Sequence, residues 1–147
     1  MITDFYPLQP NADKREYYFE SEGPNGVFQK VVLFEELPLQ PGYFNLALCV
    51  VSHGIFLDDV VTDNADFSKT MQTVAKATYD FLEELPEAII RVEANENRRL
   101  RIYNGIVKRR WKEIESLFEV KGKRQQKFEA YNPDHFYDGF ELRLKKP

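Results

Sequence analysis

Cysteine is almost missing from this chain of 147 residues: Cys49 stands alone inside the apolar run LALCVV. A single thiol closes no internal disulfide, and the paired-cysteine spacings of zinc and redox sites are excluded. Its apolar neighbours predict a buried, inert thiol. Glycine is sparse too, and none of the seven falls in a dinucleotide or phosphate-loop pattern. GPNG at 23–26 lacks the Lys-Ser/Thr that completes a phosphate loop. The two histidines, His53 and His135, are too far apart for an HExxH site. His53 follows Ser52, and neighbours on an extended strand point to opposite faces, so no nucleophile–base pair is expected there. His135 lies beside Asp134 and Asp138 in NPDHFYD and reads as a surface-loop histidine, with a weak metal or proton site as the alternative. No run approaches the roughly 18 apolar residues of a membrane helix, and the opening MITDFYPLQP has neither the basic start nor the apolar stretch of a secretion signal. Together these absences predict a soluble cytoplasmic protein with no membrane association, no metal, no cofactor and no catalytic residue set.

Aromatic and charged residues are abundant instead. Twelve phenylalanines, eight tyrosines and an apolar share of 43% suffice for one core, which predicts a single globular domain over 1–147. The net charge of −4 conceals a division: residues 1–96 carry 6 Lys/Arg against 17 Asp/Glu, whereas residues 97–147 carry 14 against 7. Such opposite halves can cancel within the molecule, or steer an anionic ligand or a second copy of the chain.

REYYFESEG (15–23) and GVFQKVVLFEELP (26–38) are aromatic and β-branched runs separated by Pro24-Asn25-Gly26, the pattern of a hairpin. YFNLALCVV (43–51) suits a central strand, and a bend at Ser52-His53-Gly54 with a short extension to Leu57 completes a three-stranded antiparallel meander. Asp63, Asn64 and Asp66 offer helix-start side chains, and Phe67, Met71, Val74, Ala75, Thr78, Leu82 and Leu85 recur at helical spacing before Pro86. AIIRVEA (88–94) is a further strand. A second helix runs through Leu100, Tyr103, Ile106, Val107, Trp111, Ile114, Leu117 and Phe118. LFEVKGKRQQKFEAY and YDGFELRLKK then supply two C-terminal strands around a loop at 132–135. Strands first and helices later make an α+β domain, with helices packed on a mostly antiparallel sheet.

Three strands, a helix, a strand and a helix resemble the opening of the ribonuclease H-like topology. That resemblance implies enzymes that hold two divalent cations on acids from the first strand, the first helix and the fourth strand. Glu20 or Glu22 and Glu93 or Glu96 match the strand positions, but the helix has no acid from Phe67 through Tyr79, with Asp66 at its cap and Asp80 too far along. A two-metal nuclease site is therefore not expected, and the fold alone fixes no function. NRRLRIYNGIV and KFEAYNPDHFYDGFELRLKK resemble more closely an uncharacterised family of short bacterial proteins. In that family the last helix opens with Arg-x-Arg-[Leu/Ile]-Tyr, and a Tyr-x-x-Phe-type strand ends in lysines. Arg99, Arg101, Ile102 and Tyr103 occupy the first motif, Tyr137 and Phe140 the second, and TMQTVAKATYDFLEELPEA resembles the family's first helix. The likeness runs from about Asn64 onward, with EANEN in place of a small glycine-serine turn before the first motif. It implies no activity.

The basic stretch NENRRLRIYNGIVKRRW (95–111) is the candidate binding segment. With Tyr103 at zero and about 100° per residue, Leu100, Val107, Ile114 and Phe118 lie within about 60° of it, and Arg101, Lys108 and Lys112 lie on the far, solvated side. Arg99 and Arg110 fall inside the apolar arc, where a guanidinium needs a partner: Glu93 or Glu96, or a bound phosphate. Arg99 also stands in the first helical turn, where the macrodipole disfavours a cation unless an anion is bound. Arg99, Arg101, Tyr103 and Arg110 are therefore the candidate ligand- or partner-binding residues. Two functions fit. One is a non-catalytic intracellular protein-interaction module that self-associates or joins a protein partner, as in a small bacterial toxin–antitoxin pair. The other is a nucleic-acid-binding protein, with or without metal-dependent cleavage, that uses this helix and KGKRQQK (121–127) with Trp111 and Tyr131 nearby.

Overall fold

The computed structural model describes residues 2–58, 65–94 and 96–146. The chain falls into two compact units, one of Ile2–Glu35 and Leu46–Glu84, the other of Glu36–Asn45 and Leu85–Pro147.

The first unit is a meander with one helix. β1 (Gln9–Pro10), β2 (Glu16–Gly23), β3 (Gly26–Leu37), β4 (Gln40–Ser52) and β5 (Ile55–Asp58) neighbour one another in chain order. The β2–β3 hairpin turns within the predicted Pro24-Asn25-Gly26: Gly23 lies opposite Gly26, so Pro24-Asn25 is the loop and Gly26 already belongs to β3. At the β4–β5 hairpin Ser52 lies opposite Ile55, and both residues between them are left-handed, His53 at φ 51° and Gly54 at φ 75°. That geometry matches the twist of a two-residue hairpin. The expected bend and extension is thus a further antiparallel strand.

α1 (Phe67–Glu84) buries Thr70, Thr73, Ala77, Thr78, Phe81 and Leu82. Phe81 stacks on Phe34 with ring centroids 4.2 Å apart, and Tyr17 meets Phe34 edge-on at 5.8 Å. This buried row is turned from the one expected, since Phe67 and Leu85 are exposed. Threonine explains the shift. Thr73, outside the expected row, donates its hydroxyl to the carbonyl of Lys69 at 2.8 Å, as Thr78 of that row does to Val74 at 2.8 Å, which frees their methyl groups to pack. Residues counted as polar in a sequence therefore supply much of the buried row. Asp63 and Asn64 lie outside the described residues.

In the other unit the start of β4 runs parallel to β6 (Ile89–Glu93), with Tyr43 opposite Ile89. β6 then pairs antiparallel with β9 (Gly139–Leu144), β9 with β7 (Phe118–Arg124), and β7 with β8 (Lys127–Ala130). α2 (Asn97–Arg109) and α3 (Trp111–Leu117) connect β6 to β7. The α+β class and the helix–strand–helix succession are as expected. The second helix, however, breaks at Arg110, whose backbone at φ −109° and ψ 22° leaves the helical region. The tail makes three strands rather than two because Gln125 and Gln126 form a left-handed turn at φ 52° and 63°, with Arg124 opposite Lys127. Neither glycine nor asparagine marks that turn in the sequence. The ribonuclease H-like resemblance stops at element order. A site built on the first and fourth strands needs them side by side, whereas β2 has β1 and β3 as neighbours and β6 has β4 and β9.

Tyr137 is fully buried in this unit, and a Cβ on Gly122 would overlap its ring. Arg91 of β6 lies between the rings of Tyr43 at 4.7 Å and Phe128 at 5.3 Å, while its Nε donates to Glu141 at 3.0 Å and its Nη1 to Gln40 at 2.7 Å. These contacts generate a pair of opposite expectations for denaturant melts. Gly122→Ala should lower stability by about 1–3 kcal/mol through overpacking. Gln126→Gly should raise it by about 1 kcal/mol by relieving a left-handed side-chain residue. Equal midpoints for the two variants would contradict at least one of the two, the Tyr137–Gly122 packing or the left-handed Gln126.

Candidate functional site

α2 starts badly on its own. Glu96, at its N-cap, makes no side-chain hydrogen bond to the free amides, and the first turn holds arginines but no acid. Tertiary contacts fix the helix instead. Leu100 is buried, and Asn104 grips the loop ahead of β9: its Nδ2 donates to the carbonyls of Leu100 at 2.8 Å and Tyr137 at 2.9 Å, and its Oδ1 accepts the Tyr137 amide at 2.8 Å. Asn-Gly reads as a turn in a sequence, yet here the helix continues through Asn104-Gly105.

The phase of α2 follows from that anchoring. Arg101 and Lys108 are exposed, as the helical angles predict, and so are Arg98 and Arg109; Lys112 is exposed in α3. Arg99, Tyr103 and Arg110 are half-buried on the inward side. Arg110 pairs with Glu113 at 3.4 Å. Arg99 takes neither of the acids expected for it. Glu93 reaches Lys123 at 3.7 Å instead, because both residues are register partners of Gly139 from its two sides and meet across a position with no side chain. Among the described residues no hydrogen bond or ion pair holds Arg98, Arg99, Arg101, Lys108, Arg109 or Lys112. Arg98, Arg109 and Gly105 were not singled out from the sequence. The same angular arithmetic, applied to every residue of the helix, places all three beside Arg101 and Lys108.

Beyond Tyr137 a second group of side chains gathers. Glu129 accepts from the Tyr137 hydroxyl at 2.8 Å and from Arg124 at 3.2 Å, and it contacts Nδ1 of His135 at 2.9 Å. The hydrogen bonds to His135 and Tyr137 hold the Glu129 carboxyl at about 2. The loop histidine is therefore a carboxylate partner. Trp111 lies against Tyr131 at 4.4 Å, and Tyr131 against Tyr137 at 5.7 Å, so these aromatic rings are packed together rather than free to stack on bases.

In the other unit a cleft of about 380 Å³ is lined by Asp4, Tyr6, Glu22, Asp66 and Lys69 among others. At its base the Asp66 carboxylate accepts from Ser21 at 2.5 Å and from Tyr6 at 2.7 Å. Burial pushes Asp66 up, but the Ser21 and Tyr6 hydrogen bonds, with Thr70 and then the nearby Lys30 charge, outweigh it and hold the group below the usual carboxylate range. Lys69 caps the arrangement, 4.4 Å above the Tyr6 ring and 3.9 Å from Asp4. Ser21 is fully buried and gives its hydroxyl to Asp66, so it is not presented to a substrate. Cys49 is buried, as expected. Among the described residues no helix is long and apolar enough to cross a membrane.

A family of unknown function, DUF6934, matches residues 3–145. The chain belongs to that family. No curated protein and no solved structure matches it. The resemblance to an uncharacterised family is thereby borne out, and the match extends through the meander as well as the helices.

For this DUF6934 member the Glu129 cluster sets a pH dependence. A carboxyl held at about 2, against an ordinary 4.5, stabilises the fold above the ordinary value, and that contribution disappears as the pH falls through about 2. Glu129→Gln should therefore be less stable than the native protein near neutral pH, and the gap should close on acidification toward about 2. Urea melts at stepped pH read the difference; a gap that persists in acid would show that Glu129 acts through shape rather than charge.

Proposed function

We propose that this protein is a non-catalytic nucleic-acid-binding module that docks the exposed side of α2 on a phosphate backbone. The observation that carries the reading is the row Arg98, Arg101, Lys108 and Arg109, continued by Lys112, exposed and without an acid partner among the described residues. In α2 these side chains fall within an arc of about 100°. The core of a protein–protein interface is depleted in charge and rich in apolar side chains, whereas Ile102 is the exposed large apolar residue of α2. Arginines in a first helical turn oppose the macrodipole until an anion arrives, and fixed cations on a surface draw in phosphates whatever the net charge elsewhere. Contacts of this kind position a nucleic acid without reading its sequence.

The test is a titration of a short duplex DNA across salt. With four or five phosphates engaged, the logarithm of the binding constant should fall against that of salt concentration with a slope of about −4. Arg101→Gln and Lys108→Gln should each reduce that slope by about 1 and change stability by no more than about 0.5 kcal/mol. Binding that ignores salt, or that survives both substitutions unchanged, would overturn the reading.

A protein-partner role is favoured by a separate observation. Ile55 and Leu57 alternate on one side of β5 and are both exposed. If a second copy covers them, light scattering at tens of micromolar gives a dimer mass that Ile55→Lys returns to monomer. A monomer throughout removes this second reading.

A further inference from the structure

Glycine is a poor residue for a helix interior, yet Gly105 stands in the middle of α2. Its backbone is not left-handed, so the conformation does not call for glycine. Its surroundings do. Gly105 is central to the basic row, with Arg101 one turn before it and Lys108 and Arg109 one turn after. A Cβ at this position would lie 3.0 Å from Nη1 of Arg109 and 3.6 Å from its Cζ. The missing side chain thus lets the exposed Arg109 side chain fold back along the helix so that its guanidinium lies over Gly105. Like charges on neighbouring turns of one helix face repel one another, and no acid among the described residues offsets them. An anion seated between them would. A guanidinium offers parallel N–H donors that match two oxygens of one phosphate.

We infer that Gly105 is the seat of a phosphate clamp, in which Arg109, lying against the helix where no Cβ intervenes, joins Arg101 and Lys108 in holding one phosphodiester group of a nucleic acid. The inference rests on the reading of α2 given above and adds the residue that shapes the site. It separates stability from binding. Alanine is the better helix former and displaces only the far end of a flexible side chain, so Gly105→Ala should raise the thermal midpoint. The same substitution removes no charge, yet it should reduce the salt slope for duplex DNA by about 1, the signature of one lost phosphate contact.

Arg109→Gln provides the second arm. It should lower affinity for the duplex, and combining it with Gly105→Ala should add little, because both remove the same contact. If Gly105→Ala leaves affinity and slope unchanged while Arg101→Gln and Lys108→Gln reduce them, the clamp is wrong and the basic-face reading stands. If none of the four variants changes binding, both fail. Polyglutamate bound as tightly as the duplex, with the same dependence on Gly105, would assign the seat to an acidic protein and overturn the inference.

Discussion

The Tyr137 ring lies over a residue that has no side chain, and most of its unit is organised around that contact. Gly122 on β7 leaves the space, Phe140 on β9 packs at 5.9 Å, and the hydroxyl reaches Glu129 on β8 and accepts the Asn132 amide at 3.0 Å. The backbone of the same residue is held by Asn104, so one tyrosine ties three strands and a helix together. A phenol buried this deeply needs its hydroxyl satisfied, and burial together with Glu129 raises it above its ordinary value. α2, which lacks an effective N-cap, depends on this anchor for its orientation.

Two kinds of charge are distinguished by what surrounds them. Arg91 is stacked between two rings and bonded to Glu141, itself almost fully buried, so its charge is satisfied within the fold. Breaking a buried pair of this kind leaves an uncompensated charge, which is costly. Asp66, with its hydroxyl donors and the nearby Lys30, is likewise satisfied by its own chain. The cations on the outer side of α2 have no such arrangement. Solvation makes them cheap to keep, and their common exposed side leaves them available to an external anion. This contrast directs the functional reading to α2 rather than to the more elaborate polar cluster at the start of α1.

The phase of α2 was legible in the sequence because it depends on angular spacing alone: Leu100 is inward, Arg101 and Lys108 outward, and Arg99 and Arg110 half-buried on the inward side. The Arg99 partner was not legible. Glu93 is close to it in sequence, but the sheet register turns that carboxylate across Gly139 toward Lys123, and register is a long-range property. Gly105 was not legible as a special position within the predicted helix, because a glycine's role in close approach depends on which side chain folds over it, here one a full turn away.

By itself the sequence determined the α+β class, the Pro24-Asn25 hairpin, the burial of Cys49 and the family, since these follow from local pattern and composition. Only the tertiary structure decided the threonine-lined inner side of α1, the Gln125-Gln126 turn, the neighbours of β2 and β6, and the seating of Tyr137 on Gly122. Each depends on a partner distant in sequence or on a backbone conformation its residue type does not advertise. Threonine packs once its hydroxyl has a carbonyl, glutamine turns left-handed when a hairpin must close, and glycine marks a contact only when the ring that fills its space is in place.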